Sequence, residues 1–178
     1  MKKTALVTAL MMLAVIGINP AHAYITNGDF ETGNLSGWTT DDMNIIVENT
    51  TWAYSGNYAV EFTTKDKIGS LSQYIPTEVG KTYELSYYLR SAGGTNTFTT
   101  KVDGNVLLSL QNFGQDYVYY SQYFTASSAL TEITFSSQQE YGAYLDDIDV
   151  VPAPEPITFL LVGGGLLGAG FMRRKIKS

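Results

Sequence analysis

Thr82-Tyr83-Glu84-Leu85-Ser86-Tyr87-Tyr88-Leu89-Arg90 is the stretch that decides the fold. Tyr83, Leu85, Tyr87 and Leu89 fall on one parity; Glu84, Ser86, Tyr88 and Arg90 fall on the other. A strand sends successive side chains to opposite faces, so the first set reads as core and the second as an outer sheet surface. In Glu132–Ser136 the same alternation turns Ile133 and Phe135 inward and Thr134 outward.

Outward from this segment the pattern repeats every few residues. Strands are expected at Asn44–Glu48, Tyr58–Thr63, Ser70–Ile75, Lys81–Arg90, Thr97–Val102, Val106–Leu110, Tyr117–Thr125, Thr131–Ser136 and Ala143–Val151. Turn chemistry separates them at Ser55-Gly56-Asn57, Val79-Gly80, Ala92-Gly93-Gly94 and Asp103-Gly104-Asn105. The Asp-Gly pair between two strands is a hairpin signal, because glycine and aspartate tolerate the positive φ that tight turns need. No window between residues 24 and 153 sustains a helical period. Short strands at this spacing predict an all-β domain over residues 24–150, a β-sandwich of about nine strands.

The two ends read differently. Lys2 and Lys3 precede an apolar run from Ala5 to Ile18, then Asn19-Pro20 and the small-x-small triplet Ala21-His22-Ala23. That order is a secretory signal peptide over residues 1–23, so signal peptidase is expected to leave Tyr24 as the first mature residue. At the other end Pro154-Glu155-Pro156 precedes an uncharged stretch from Ile157 to Met172, then Arg173-Arg174-Lys175-Ile176-Lys177. As a transmembrane helix, residues 157–172 would span roughly 24 Å at about 1.5 Å per residue. The terminal cations would stay cytoplasmic, holding the domain outside the inner membrane. Gly164 and Gly168 form a GxxxG pair on that segment.

The order of Pro-Glu-Pro, glycine-rich apolar span and Arg-Arg cluster resembles the PEP-CTERM sorting domain over residues 151–178. The resemblance implies a sorting motif in Pro154, Glu155, Pro156, Arg173 and Arg174, with an exosortase as the partner that reads it. It implies an exported protein of a Gram-negative bacterium, anchored as a precursor and then delivered to the cell surface or extracellular matrix, where such proteins accompany exopolysaccharide and biofilm.

Composition narrows the chemistry. Residues 24–153 hold five Lys and Arg against sixteen Asp and Glu, a formal charge of −11. Such a surface disfavours nucleic acid. There is no cysteine, and the single histidine, His22, lies in the signal peptide. The mature chain therefore lacks the residues for Ser-His-Asp or Cys-His catalysis and for ordinary zinc sites. Chemistry by paired carboxylates stays open.

Asn27-Gly28-Asp29-Phe30-Glu31-Thr32-Gly33 with Gly37-Trp38, then Ala53–Val60, Tyr83–Tyr87, Phe124-Thr125-Ala126 and Leu145-Asp146-Asp147-Ile148, occur in the order of another family. Together they resemble jelly rolls of the galactose-binding-like superfamily, of the carbohydrate-binding-module type. The resemblance implies a structural Ca²⁺ held by Glu31 and Asp146, completed by backbone carbonyls. Asp29 and Asp147 are weaker candidates, since alternation turns Asp147 away from Asp146. Hydrogen bonds from backbone amides would occupy the same carboxylates equally well.

Thirteen tyrosines and two tryptophans suit stacking on sugar rings, and equally suit a β-sandwich core. Trp38, after a glycine in the opening turn, is assigned to the core. Trp52, Tyr54, Tyr88, Arg90, Tyr119 and Tyr141 sit on loops or outward faces and are the candidate ligand-binding residues. Lys65-Asp66-Lys67 reads as a solvated loop. The expected function is non-catalytic polysaccharide binding at the cell surface. A matrix protein without a defined ligand and a carboxylate-based glycosidase are the alternatives.

Overall fold

Residues 24–154 are described by the structure, a computed structural model. The expected signal peptide, the 157–172 span, and Glu155, Pro156, Arg173 and Arg174 lie outside the described residues; Pro154 is exposed at their end. Among the described residues ten strands form: β1 (Thr39–Thr40), β2 (Ile45–Asn49), β3 (Tyr58–Phe62), β4 (Gly69–Pro76), β5 (Thr82–Ser91), β6 (Asn96–Val102), β7 (Asn105–Gln111), β8 (Val118–Thr125), β9 (Leu130–Gln139) and β10 (Ala143–Pro152). Nine answer to expected strands. The tenth, β1, is only two residues long, too short to leave a periodic signal.

The strands make two five-stranded antiparallel sheets, ordered β1-β4-β9-β6-β7 and β2-β3-β10-β5-β8. Between them lies a single core that includes Phe30, Phe62, Leu71, Tyr83, Leu85, Tyr87, Leu89, Phe98, Phe135, Leu145 and Val150. The alternation of β5 places its side chains as expected, with Tyr83, Leu85, Tyr87 and Leu89 in this core. Ile133 and Phe135 are likewise buried, and Trp38 packs near Phe135 while donating its indole hydrogen to the Asn27 carbonyl at 3.0 Å. The deeply buried Tyr87 hydroxyl bridges the sheets by bonding Thr100 Oγ1 at 2.6 Å, so its polar end is satisfied in the apolar interior.

β6 and β7 are joined by the two-residue turn Asp103-Gly104, with φ of 47° and 77°. Positive φ at both positions is the hairpin geometry that the Asp-Gly pair favours. The amino-terminal segment is no strand, but it closes onto β10: Ile148 donates its amide to the Gly28 carbonyl at 3.0 Å. A Cβ on Gly28 would lie 2.0 Å from the Ile148 carbonyl oxygen, so only glycine permits this approach.

Candidate functional site

The outer face of the second sheet gathers the outward parity of three neighbouring strands. Arg90 on β5 pairs in register with Tyr144 on β10, and Tyr88 pairs with Asp146 on one side and with Tyr119 of β8 on the other. Over this face folds the β2–β3 loop, residues 50–57, which carries Trp52 and Tyr54.

Aromatic side chains interlock here. Trp52 meets Tyr144 edge to face at 5.1 Å between centroids, and the Arg90 guanidinium lies 4.7 Å over the Trp52 ring and 5.7 Å from Tyr117. Tyr54 stacks on Tyr88 at 3.5 Å and meets Tyr117 at 5.4 Å, while Tyr88 contacts Tyr119 at 5.2 Å. Tyr117 donates its hydroxyl to the Trp52 carbonyl at 2.7 Å, tying β8 to the loop. Trp52, Tyr54 and Tyr119 remain 40%, 43% and 51% exposed, so their free faces form an aromatic platform. Arg90 has no carboxylate partner among the described residues, and its buried Nε lacks an acceptor.

Five of the six expected ligand residues thus come together. Tyr141 does not: it is exposed in the β9–β10 turn, packed beside Gly94. Sequence reasoning missed Tyr117 and Tyr144. Tyr144 stands on a strand where alternation already allowed an outward ring; Tyr117 sits just before β8, and only the loop brought over the sheet makes it part of the platform.

A polar floor adjoins the rings. Tyr144 donates its hydroxyl to Glu61 Oε1 at 2.8 Å. Burial raises the Glu61 carboxyl above its usual range; the Tyr144 hydrogen opposes this, and the negative charge of Glu48 adds to it.

Glu31 and Asp146 converge on the loop between Ala53 and Tyr58. Glu31 Oε1 accepts the amides of Asn57 and Tyr58, both at 2.7 Å, and these hydrogens hold its carboxyl below the usual range. Asp146 Oδ2 accepts the amides of Tyr54 at 2.9 Å and Ser55 at 3.1 Å, and its Oδ1 accepts that of Asp147 at 2.7 Å. Burial pushes the Asp146 carboxyl up to about 6 against these bonds.

Asp147 departs from the expected alternation. A bulge between Asp146 and Asp149, with φ of 49° at Asp147, brings its Oδ1 to the Ser55 hydroxyl at 2.8 Å. Both aspartates therefore serve the same loop, because a bulge interrupts the two-residue period. Asp29 accepts the Glu31 amide at 3.4 Å. The described residues contain no cluster of three acidic side chains able to hold a metal. Hard oxygen donors at the loop suit Ca²⁺ chemically, but an ion there would compete with amide hydrogens and take most ligands from carbonyls. Lys65, Asp66 and Lys67 are exposed as expected, and Lys67 pairs with Asp42 at 3.2 Å.

Residues 22–141 match the family described as Carbohydrate binding domain, and residues 152–175 match the PEP-CTERM protein-sorting motif. No curated protein matches the chain. Among solved structures, the chain is similar to TmCBM61 in complex with beta-1,4-galactotriose, at 22% identity and TM-score 0.58, covering 74% of this chain and 99% of that one. It is similar to the CBM22-1 xylan-binding domain from Paenibacillus barcinonensis Xyn10C, at 16% identity and TM-score 0.58, covering 72% and 94%. The C-terminal family 22 carbohydrate binding module of Clostridium thermocellum Xyn10B aligns at 16% identity and TM-score 0.60, covering 78% and 99%. At these identities the structural likeness is one of fold: a carbohydrate-binding-module sandwich.

Proposed function

The chain belongs to the Carbohydrate binding domain family, and from that membership we propose that its exported domain binds polysaccharide without cleaving it. One observation carries the reading: the free faces of Trp52, Tyr54 and Tyr119 are held together on the outer face of one sheet. Sugar rings stack their C–H faces on such a platform, while hydroxyls find polar neighbours at its edge. Arg90, with no carboxylate partner among the described residues, brings its guanidinium to the edge of these rings.

The sorting motif at residues 152–175 supports delivery to the cell surface by an exosortase. There the domain would hold exopolysaccharide in a biofilm matrix. A structural Ca²⁺ is proposed at the Ala53–Tyr58 loop, held by Glu31 and Asp146 with Asp29 and Asp147 nearby. It would brace the loop that carries Trp52 and Tyr54.

Affinity electrophoresis through gels containing individual polysaccharides tests the reading. Retardation by at least one neutral glycan, lost in Trp52→Ala, supports it. Shortening of the glycan would make the domain a hydrolase, and no retardation by any glycan would leave a matrix protein without a ligand.

A further inference from the structure

Tyr141 stands apart from the platform, with its side chain 65% exposed in the β9–β10 turn. Gly94, with φ of 69°, makes room for it: a Cβ there would lie 2.6 Å from the Tyr141 ring and 2.7 Å from Glu140 Oε2. Glu140 Oε2 accepts the Thr95 amide at 2.9 Å, and the Glu140 amide donates to the Thr95 carbonyl at 3.1 Å. Ring and carboxylate are thereby fixed against the start of β6.

Thr95 and Glu140 also line a cavity of about 360 Å³, together with Lys65, Thr97, Gln138 and Gln139. Thr97 and Gln138 pair in register on the first sheet, and Gln138 donates its side-chain amide to the Lys65 carbonyl at 3.1 Å, holding the β3–β4 connection in place. Every lining side chain is polar. Lys65 has no carboxylate partner among the described residues. Gln139 is only 1% exposed; its Nε2 donates to the Thr97 carbonyl at 3.0 Å and to Ser137 Oγ, while its Oε1 has no donor. A buried acceptor without a donor is costly, and such an orphan marks a place where a bound partner belongs.

We propose that this cavity is a second carbohydrate site, taking one neutral sugar ring with Tyr141 as its stacking wall. A C–H face of the sugar packs on the exposed tyrosine, and a sugar hydroxyl donates to Gln139 Oε1. Lys65 supplies donors and Glu140 an acceptor for further hydroxyls. One cation facing one carboxylate selects against ions, since an anion meets Glu140 and a cation meets Lys65. The cavity lies on the first sheet and the aromatic platform on the second, so a single domain holds two glycan segments. The sugar class rests on the carbohydrate-binding reading above; the place rests on the cavity, the ring and the orphaned oxygen.

Amide chemical shifts of isotope-labelled residues 24–154, which contain both sheets and the whole core, test the proposal during titration with the methyl glycosides of glucose, galactose, mannose and xylose. At least one glycoside should shift the Thr95, Thr97 and Glu140 backbone amides and the Gln139 side-chain amide saturably. Those shifts should persist in Trp52→Ala and disappear in Tyr141→Ala, whose exposed position leaves the core intact. No shift at these amides with any of the four sugars overturns the site, as does a response that vanishes in Trp52→Ala or survives in full in Tyr141→Ala. A response to methyl glucuronide alone refutes the neutral ligand. Shifts at Trp52, Tyr54 and Tyr119 report the platform separately, so either site can fail without the other.

Discussion

Tyr54 lies flat on Tyr88, with ring centroids 3.5 Å apart and planes 12° from parallel. One face of each ring is thereby used within the protein. Tyr54 stays 43% exposed and Tyr119 and Trp52 are exposed as well, while Tyr88 supports the stack from beneath.

Affinity should divide accordingly. Trp52→Ala removes a stacking ring and the surface under Arg90, and should weaken glycan binding by about tenfold or more, or at least ~1.4 kcal/mol. Tyr119→Ala should cost less, since it takes away one ring and leaves the loop in place. Isothermal titration with the retained glycan measures both; equal affinity for wild type and Trp52→Ala would remove the platform.

The loop depends on a glycine. Gly56 has φ of 60°, and a Cβ there would come within 2.4 Å of the Glu31 carboxylate. Gly56→Ala should destabilise the domain by about 1–2 kcal/mol through left-handed backbone strain and displacement of Glu31. Denaturant unfolding checks the stability, and titration checks the loss of affinity that follows when the loop shifts.

Calcium is tested by melting the domain in chelator and in Ca²⁺. A bound ion at a hundredfold excess over Kd adds about 2.7 kcal/mol, so the midpoint should rise by several degrees with Ca²⁺ and less with Mg²⁺. Glu31→Gln and Asp146→Asn should each remove that rise. Identical midpoints in chelator and Ca²⁺ would leave the two carboxylates as caps for backbone amides.

Stability should depend on pH through Glu61. Its folded carboxyl is raised above the ordinary value of 4.5, so the folded state holds more protons than the unfolded chain above that pH. Stability from this group is then fully present below about pH 4.5 and is lost as pH rises through the folded value. As pH rises above about 4.5 the melting midpoint of wild type should fall relative to that of Glu61→Gln. Parallel profiles would show that Glu61 ionises as freely as in water.

Sorting is tested at Glu155. Its replacement by alanine should leave full-length precursor in the inner membrane fraction. Surface delivery equal to wild type would reduce the carboxy-terminal segment to a plain anchor.

Alternation along Thr82–Arg90, glycine-bearing turns and the missing histidine and cysteine determined the all-β domain, its inward residues and the exclusion of whole classes of catalysis. These are local properties: side-chain parity and turn conformation depend on neighbours a few residues away. Tertiary structure alone decided the site. Trp52 and Tyr144, far apart in the chain, meet because a loop from β2 folds over β10, and Asp147 turns toward Ser55 because a bulge breaks the period of the strand. Tyr141, equally aromatic and more exposed, is left out because its ring packs beside Gly94. Residue type and parity set which side chains can face outward; only long-range strand pairing and loop closure set which of them share a surface.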